Sequence, residues 1–524
     1  MADAGDLKSP ARKGVWVRLP PRLNGSCLKI DSISLFYSFA VSRRGFVNCR
    51  ICGRGTNYRI KTEIMKKTDT ELNAKKDFQK DFLTALAKTA RENNRIRQSL
   101  YDQYNVKRGL RNSDGTGVLV GLTEIGDVHG YILDEKEKVP VEGQLRYRGI
   151  EISDIVAGCL KERRTGFEEV CYLLLFGKLP TPEHLRAFKE LLDAHRELPE
   201  GFIDSMILKS PSIDVMNKLS RSVLASYSYD RAPEDRSLKN VLNQCIKLIA
   251  QFPLMVAYGY QARAHYYLGQ SFFIHHPKPG LSTAANFLRL IRPDKKYTKT
   301  EAELLDLCLI LHAEHGGGNN SSFVTHVVTS ADTDVYSAIT AAISSLKGLK
   351  HGGANIKVME MIKNIKKNVK NYDDEKKVAE YLRKIIKKEA FDKTGLIYGF
   401  GHAVYTLSDP RAVLLKKYAK KLAKEKGREN ELNLYLTIEN LTPGLYAEIK
   451  GTKKIISPNV DFYSGFVYSM LGIPTELYTP LFAVARIAGW SAHILEERVS
   501  GGRIIRPAYK SVSEKREYAP LNDR

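Results

Sequence analysis

Residues 395–427 read GLIYGFGHAVYTLSDPRAVLLKKYAKKLAKEKG. Three glycines surround Tyr398, Phe400 and His402. Ser408 or Asp409 is placed to cap a helix, Pro410 falls in that helix's first turn and Arg411 follows at once. A loop this rich in glycine, holding one histidine and one arginine, is suited to wrapping an anionic ligand, and it delivers the chain into a helix. The same punctuation extends outward. From Ser153 the sequence reads as helix after helix, interrupted at Pro180, Pro211, Pro253, Pro277 and Pro293. The only good strand signals lie between 115 and 150, in TGVLVGLTEI, VHGYIL and GQLRYRGI, short β-prone runs separated by glycine and charged turns. The expected class is mainly α, with a small β-meander ahead of a helical body.

A chain of 524 residues is long enough for two or more domains, or for one large core with a smaller lobe. The richest apolar stretches, Val170–Phe176 and Ile249–Gly259, are short or interrupted by Pro253, which argues against a membrane span. The formal charge of +23 admits nucleic acid, a membrane surface or anionic small molecules as partners. The excess lysine is concentrated between Lys363 and Lys393, where it alternates with Val, Ile and Ala at roughly helical spacing. That pattern reads as solvated faces of ordinary helices rather than a nucleic-acid patch. Seven scattered cysteines do not make a disulfide framework, and Cys49-x-x-Cys52 lacks a second pair for a zinc site, so the reducing cytoplasm is the expected compartment. Residues 1–64 mix Arg, Gly, Pro and Cys without sustained periodicity, whereas Met65 opens ordinary helical sequence. The leader reads as an over-extended start; Asp3, Asp6 and Asp31 weigh against a transit peptide.

Four further segments set polar residues among glycines or inside apolar helices. In LLDLCLILHAEHGGGNNSS, from Leu304, an apolar helix runs toward Gly316–Gly318, and His312 and His315 are expected in its last turn, where a cation is welcome. A metal reading of that pair is weaker, since a zinc helix needs histidines four apart. In LKHGGANIKVMEMIKNI, His351 precedes two glycines and an amphipathic helix, whose positive end would keep the imidazole neutral and able to donate a hydrogen bond. In ISPNVDFYSGFVYSMLGIP, Asp461 lies between Val460 and Phe462 at the start of an apolar helix; it reads either as an N-cap or as a base of raised pKa. In TPLFAVARIAGWSAHILEERV, Arg486 sits mid-helix among Ala, Val, Ile, Gly and Trp. A buried guanidinium without an anion costs several kcal/mol, so its partner is a buried carboxylate or a substrate's. Together, a neutral hydrogen-bond donor, a carboxylate base and carboxylate-binding arginines suit proton abstraction beside a carbonyl, followed by attack on an acidic substrate's ketone.

The chain from about Tyr104 to Val512 resembles the citrate synthases. The resemblance rests on LRYRGIEI, LILHAEHGGGN, LKHGGANIKVME, GFGHAVYTLSDPRA, NVDFYSG and ARIAGWSAHILEE, in the family's order. It implies a two-lobed helical homodimer, or a hexamer, with a large lobe over 65–351 and 467–524 and a small lobe over 352–466 closing on substrate. It implies condensation of acetyl-CoA with oxaloacetate and water to citrate and CoA, with acetyl-CoA a substrate, no cofactor and no metal. By motif position, Asp461 would take a methyl proton, His351 would stabilise the enol and His402 would polarise the oxaloacetate ketone. His315, Arg411 and Arg486 would hold oxaloacetate, with Arg506 reaching over from the other subunit. Leu396, Tyr398, Gly399 and Gly401 would contact CoA. Thr406 stands where many relatives carry Arg or Lys near the CoA phosphates. A 2-methylcitrate synthase using propionyl-CoA is the near alternative, since one methylene is worth only about 1–3 kcal/mol. The citryl-CoA lyase portion of a citrate-cleaving enzyme lacks the phosphate-cradling loop expected beside it, and a basic nucleic-acid-binding protein leaves the glycine-flanked histidines unexplained.

Overall fold

A computed structural model describes residues 62–524, except 113–114, 135–136 and 453–454. The leader expected over 1–64 lies outside the described residues apart from its last three, which begin the helix Thr62–Asn93, and Cys49 and Cys52 lie outside them too. The chain divides into two units, 1–116 and 117–524. The first holds the helices Thr62–Asn93 and Gln98–Gln103. The second holds every residue of the site described below.

The second unit begins with an antiparallel meander of β1 (Gly126–Asp134), β2 (Glu137–Tyr147) and β3 (Ile150–Glu151), in that spatial order. Two of the three expected strand runs are in place. The first, 116–125, forms no strand: Leu119, Val120 and Leu122 point outward, and the Glu124 N–H donates to the Glu496 side chain at 2.8 Å instead of to a ladder. β-branched and aliphatic content alone does not make a strand, and the run forms no more than a single bridge, at Gly117.

The rest is helical. Eight helices frame the site: α1 (Leu238–Leu268), α2 (Lys299–His312), α3 (Asn320–Thr329), α4 (Val335–Leu346), α5 (Ala354–Asn368), α6 (Pro410–Glu425), α7 (Val460–Met470) and α8 (Tyr478–Ser500). Their starts are locally encoded. Thr298 and Glu301 form a reciprocal capping box on α2, Asn319 caps α3, Asp409 caps α6 ahead of Pro410, and Asn459 caps α7. Of the punctuating prolines, Pro180, Pro211, Pro277 and Pro293 lie between helices, but Pro253 does not stop α1. Every residue from Leu248 to Ala262 is buried, and packing on all sides outweighs the one backbone hydrogen bond that proline removes. α1 is long and apolar enough to cross a bilayer, yet most of that apolar window is buried inside the fold. It packs along α8, which also lies against α2, α3 and α4. The carrier of Arg486 is therefore the central helix of one continuous apolar core.

Candidate active site

Arg486 is fully buried on α8. Its Nε donates to the His312 carbonyl at 2.8 Å, and its guanidinium lies 4.7 Å over the Phe482 ring. Both terminal nitrogens, Nη1 and Nη2, are buried without a hydrogen-bond partner. Burial lowers its pKa to about 10, with Glu314 opposing that shift. A planar fork with two unmet donors is a receptor for a carboxylate. Glu314, the buried candidate for that partner, is engaged elsewhere: Oε1 accepts from the His315 N–H at 2.8 Å and Oε2 lies 3.2 Å from His493 Nε2.

The turn after α2 is pinned from two sides, by Tyr147 and by Gly489. Tyr147 Oη donates within reach of the Ile310 and Glu314 carbonyls, at 2.9 and 3.1 Å. The Gly489 N–H of α8 donates to the Ala313 carbonyl at 3.2 Å, and a side chain at Gly489 would overlap Glu314. α2 ends at His312, one turn earlier than the sequence suggested, so only His312 lies in its last turn. There it behaves as a helix-terminal histidine, its Nδ1 donating to the Cys308 carbonyl at 2.7 Å. His315, three residues on, leaves the helix and turns to the site. Burial first, then the Arg411 and Arg486 guanidinium charges, hold His315 well below an ordinary histidine pKa, so it is neutral, and its Nε2 is buried without a partner.

His402 faces His315 edge-on, ring centres 5.0 Å apart, and stacks on Tyr405 at 4.7 Å. Its Nδ1 accepts from the N–H groups of Val404 and Tyr405, at 3.0 and 3.1 Å. A neutral ring so held carries its proton on Nε2, as a donor. The loop before it is zipped to the segment before α7: Gly401 N–H donates to Ser457 O at 2.9 Å, Asn459 N–H to Gly399 O at 2.8 Å, and Asn459 Nδ2 to Gly401 O at 3.0 Å. Gly399 has φ +82°, and a Cβ there would meet Phe462 and Val358 at 2.9 Å, so glycine is required on both counts. This pairing brings Asp461 beside the His402 loop.

Asp461 is in the first turn of α7, and the cap is Asn459, so the N-cap reading of Asp461 is set aside. No described residue donates a hydrogen bond to its carboxylate. Burial raises its pKa to about 6, with Arg411 and Arg486 opposing. Arg411 is buried and paired through Nε and Nη2 with both oxygens of Asp409, at 3.0 and 2.8 Å, while Asp409 also accepts the Val460 N–H at 3.0 Å. Asp409 thus ties the arginine to the first turn that carries Asp461.

His351 sits in the turn between α4 and α5. Burial first, and Arg486 second, lower its pKa to about 4, so it is neutral, as expected, though the nearby charge is an arginine rather than only a helix end. Its Nε2 lies 3.1 Å from Ser321 Oγ, which accepts from Trp490 Nε1 at 3.1 Å and lies 2.9 Å from Asn319 Oδ1. The structure therefore gathers His315, His351, His402, Arg411, Asp461 and Arg486 within electrostatic reach of one another. Tyr398 is half-buried and donates to Asp392 at 2.6 Å, and Gly399 and Gly401 line the His402 loop, while Leu396 is exposed. Arg506 is not brought in: it lies exposed in the irregular 502–520 tail.

The family model for the citrate synthase C-terminal domain matches residues 113–508. The chain belongs to the citrate synthase family. A citrate synthase of Haloferax volcanii is 35% identical, over 80% of this chain and 99% of its own. A 2-methylcitrate synthase of Corynebacterium glutamicum is 33% identical, over 80% and 98%. Among solved structures, a citrate synthase from Thermoplasma acidophilum in ternary complex with carboxymethyl coenzyme A and oxaloacetate aligns with TM-score 0.65 at 27% identity, over 80% of this chain and 99% of that one. One from Pyrobaculum aerophilum aligns with TM-score 0.63 at 29% identity, over 78% and 94%.

In this citrate synthase family member, sequence reasoning missed Asp409 as more than a cap, Tyr405 as the platform under His402, and the Ser321–Trp490 pair behind His351. Each lies inside or beside a motif already singled out. What marks them is a partner 50 to 170 positions away, in Val460 for Asp409 and in α8 for Ser321.

Proposed function

We propose that this chain condenses acetyl-CoA with oxaloacetate and water to give citrate and CoA. The observation that carries the proposal is the unmet Nη1–Nη2 fork of Arg486, buried in the same site as a carboxylate of raised pKa and two neutral imidazoles. The fork takes one oxaloacetate carboxylate. The free Nη1 edge of Arg411 takes the other, since its Nε–Nη2 edge is held by Asp409. His315 Nε2 is placed for an oxaloacetate oxygen, and His402 Nε2–H for the ketone oxygen, whose developing charge it stabilises.

Asp461 then removes a methyl proton from acetyl-CoA. Its raised pKa brings it nearer to working pH, where a base is most effective. His351 donates to the thioester oxygen as the enol forms. That requires its proton on Nδ1 and leaves Nε2 as the acceptor facing Ser321 Oγ at 3.1 Å; the Ser321 hydroxyl, which donates to Asn319 Oδ1 in the structure, turns to Nε2 in this step. The enol carbon attacks the ketone, citryl-CoA forms, and water cleaves the thioester.

The same reading assigns CoA contacts to Leu396, Tyr398, Gly399 and Gly401, places the lobe boundary near 352 and 466, and makes the enzyme a cytoplasmic homodimer, or a hexamer, with Arg506 of one subunit completing the site of the other. Its tail position and exposure are consistent with an arginine that acts in trans. Because relatives of similar identity carry both names, propionyl-CoA is the second acyl donor to consider. Thiol release with oxaloacetate and each acyl-CoA tests the assignment: kcat/KM is expected to be higher for acetyl-CoA, and equal or reversed values would overturn the citrate assignment in favour of 2-methylcitrate.

A further inference from the structure

Behind the glycine turn that carries His315, α3 and α8 bring together a cluster unused by the reaction. His326 Nε2 lies 3.0 Å from His493 Nδ1, and Glu496 Oε2 lies 3.8 Å from the same Nδ1. One ligating atom from each of the three lies within 4.8 Å of the others. His493 is fully buried, and Glu496 Oε2 is buried without a hydrogen-bond partner. The other oxygen of Glu496 is fixed by the Glu124 N–H at 2.8 Å, which leaves Oε2 aimed at the imidazoles.

We propose that His326, His493 and Glu496 form a structural binding site for a divalent transition-metal ion, zinc by preference, that staples α3, α8 and the Thr123–Glu124 segment behind the Gly316–Gly318 turn. The outer arrangement is what a metal site needs. Each ligating histidine turns its second ring nitrogen to a carboxylate: His326 Nδ1 to Glu497 Oε2 at 3.0 Å, and His493 Nε2 to Glu314 Oε2 at 3.2 Å. Such carboxylate–histidine pairs fix ring orientation and raise ligand basicity. Zinc bonds of about 2.0–2.2 Å place adjacent ligand atoms roughly 3–3.5 Å apart, which the two nitrogens already meet and the glutamate reaches with a small closure. Three carboxylates, Glu314, Glu496 and Glu497, surround two imidazoles, a charge balance that a dication offsets. Two nitrogens and one oxygen leave a coordination position for water. The imidazole–imidazole contact also closes the Gly317 side, where a Cβ would stand 3.5 Å from His326 Nε2 and 3.6 Å from His493 Cε1. The ion would touch neither substrate nor reacting atoms.

The test uses the full chain with Cys49→Ser and Cys52→Ser, so that no thiolate pair competes. After chelator treatment, zinc is titrated calorimetrically and cobalt by visible absorption, with thermal melts alongside. The expected result is one equivalent per chain, a cobalt spectrum of nitrogen and oxygen ligands without thiolate charge transfer, and a higher Tm with metal. Glu497→Gln, which leaves all three ligands in place, should weaken affinity about 10–100-fold, and His326→Gln should abolish stoichiometric binding. Substoichiometric binding by the parent protein, or the same affinity in both variants, would overturn the proposal and leave the cluster as a hydrogen-bonded network holding a proton on His493. If His326→Gln does not fold, the stoichiometry, the cobalt spectrum and the Glu497→Gln comparison decide.

Discussion

Replacing Arg486 with methionine separates a substrate-binding arginine from a structural one. The wild-type guanidinium spends one donor on the fold, Nε to the His312 carbonyl, and leaves two for ligand. A hydrogen bond to a charged group contributes about 1.5–3 kcal/mol. Losing two therefore weakens oxaloacetate binding by about 3–6 kcal/mol, roughly 10²- to 10⁴-fold in Kd. Stability should respond differently. The Nε bond contributes about 1 kcal/mol, and the contact over Phe482 about another 1 kcal/mol. Against that, removing a fully buried cation is neutral or stabilising by about 1–4 kcal/mol when the replacement fills the space. The expected net change in unfolding free energy is small, within about 2 kcal/mol of zero. The assay pairs calorimetric titration of oxaloacetate with urea unfolding in the presence and absence of ligand. Wild type should gain stability with oxaloacetate, and Arg486→Met should not. Near-normal binding by a folded variant, or a large loss of stability that by itself accounts for the lost binding, would refute the assignment of Nη1 and Nη2 to substrate.

With Asp461 near pKa 6, and required in its ionised form, kcat/KM should fall tenfold per unit below about pH 6 and level off above it; a limb near pH 4, where an ordinary aspartate titrates, would show that burial does not tune it. The same raised pKa means that the folded state binds more protons than the unfolded one between the two pKa values, so Asp461 costs stability as pH rises through that window. Asp461→Asn should accordingly lose turnover by orders of magnitude yet gain on the order of 3 kcal/mol at pH 7, with the gain vanishing in acid; urea melts at pH 4 and pH 7 check it. Gly489→Ala drives a methyl into Glu314 and the Ala313 carbonyl and should destabilise by about 1–3 kcal/mol or more, with a raised KM for oxaloacetate because the same turn places His315. Ser321→Ala removes the hydroxyl that faces His351 Nε2 and should lower kcat while leaving oxaloacetate Kd within a factor of about three; equal losses in both would point to a packing role beside Trp490.

The helical class was legible because each local signal agreed with its neighbours. The Thr298–Glu301 box, Asn319, Asp409–Pro410 and Asn459 mark helix starts that need no tertiary help. Pro253 misled because its cost, a few kcal/mol in an isolated helix, is small beside the packing that buries Leu248–Ala262 on every side. The run 116–125 misled in the opposite way: strand-forming residues alone do not make a strand, and the Glu124 N–H found a glutamate instead. In the site, each reacting group could be named from its own segment, since a carboxylate or arginine among apolar residues is costly and therefore conspicuous. What those segments could not reveal were the supports that act between them. The Asp409 bond to Val460, the Ser321 bond to Trp490 and the pairing of 399–401 with 457–459 join positions whose proximity only the fold creates. The His326–His493–Glu496 cluster escaped for the same reason, its members being split between α3 and α8.

The central claim is that Asp461 and His351 converge on the methyl and thioester ends of one acetyl group, with oxaloacetate held opposite by Arg411 and Arg486. A crystal structure with oxaloacetate and carboxymethyl coenzyme A, whose carboxylate stands in for the enolised acetyl group, measures this directly. The account expects that carboxylate within about 2.6–3.2 Å of both Asp461 and His351, and an oxaloacetate carboxylate on the Arg486 fork. An analogue bound with its carboxymethyl group away from Asp461, or oxaloacetate seated off Arg486, would contradict it.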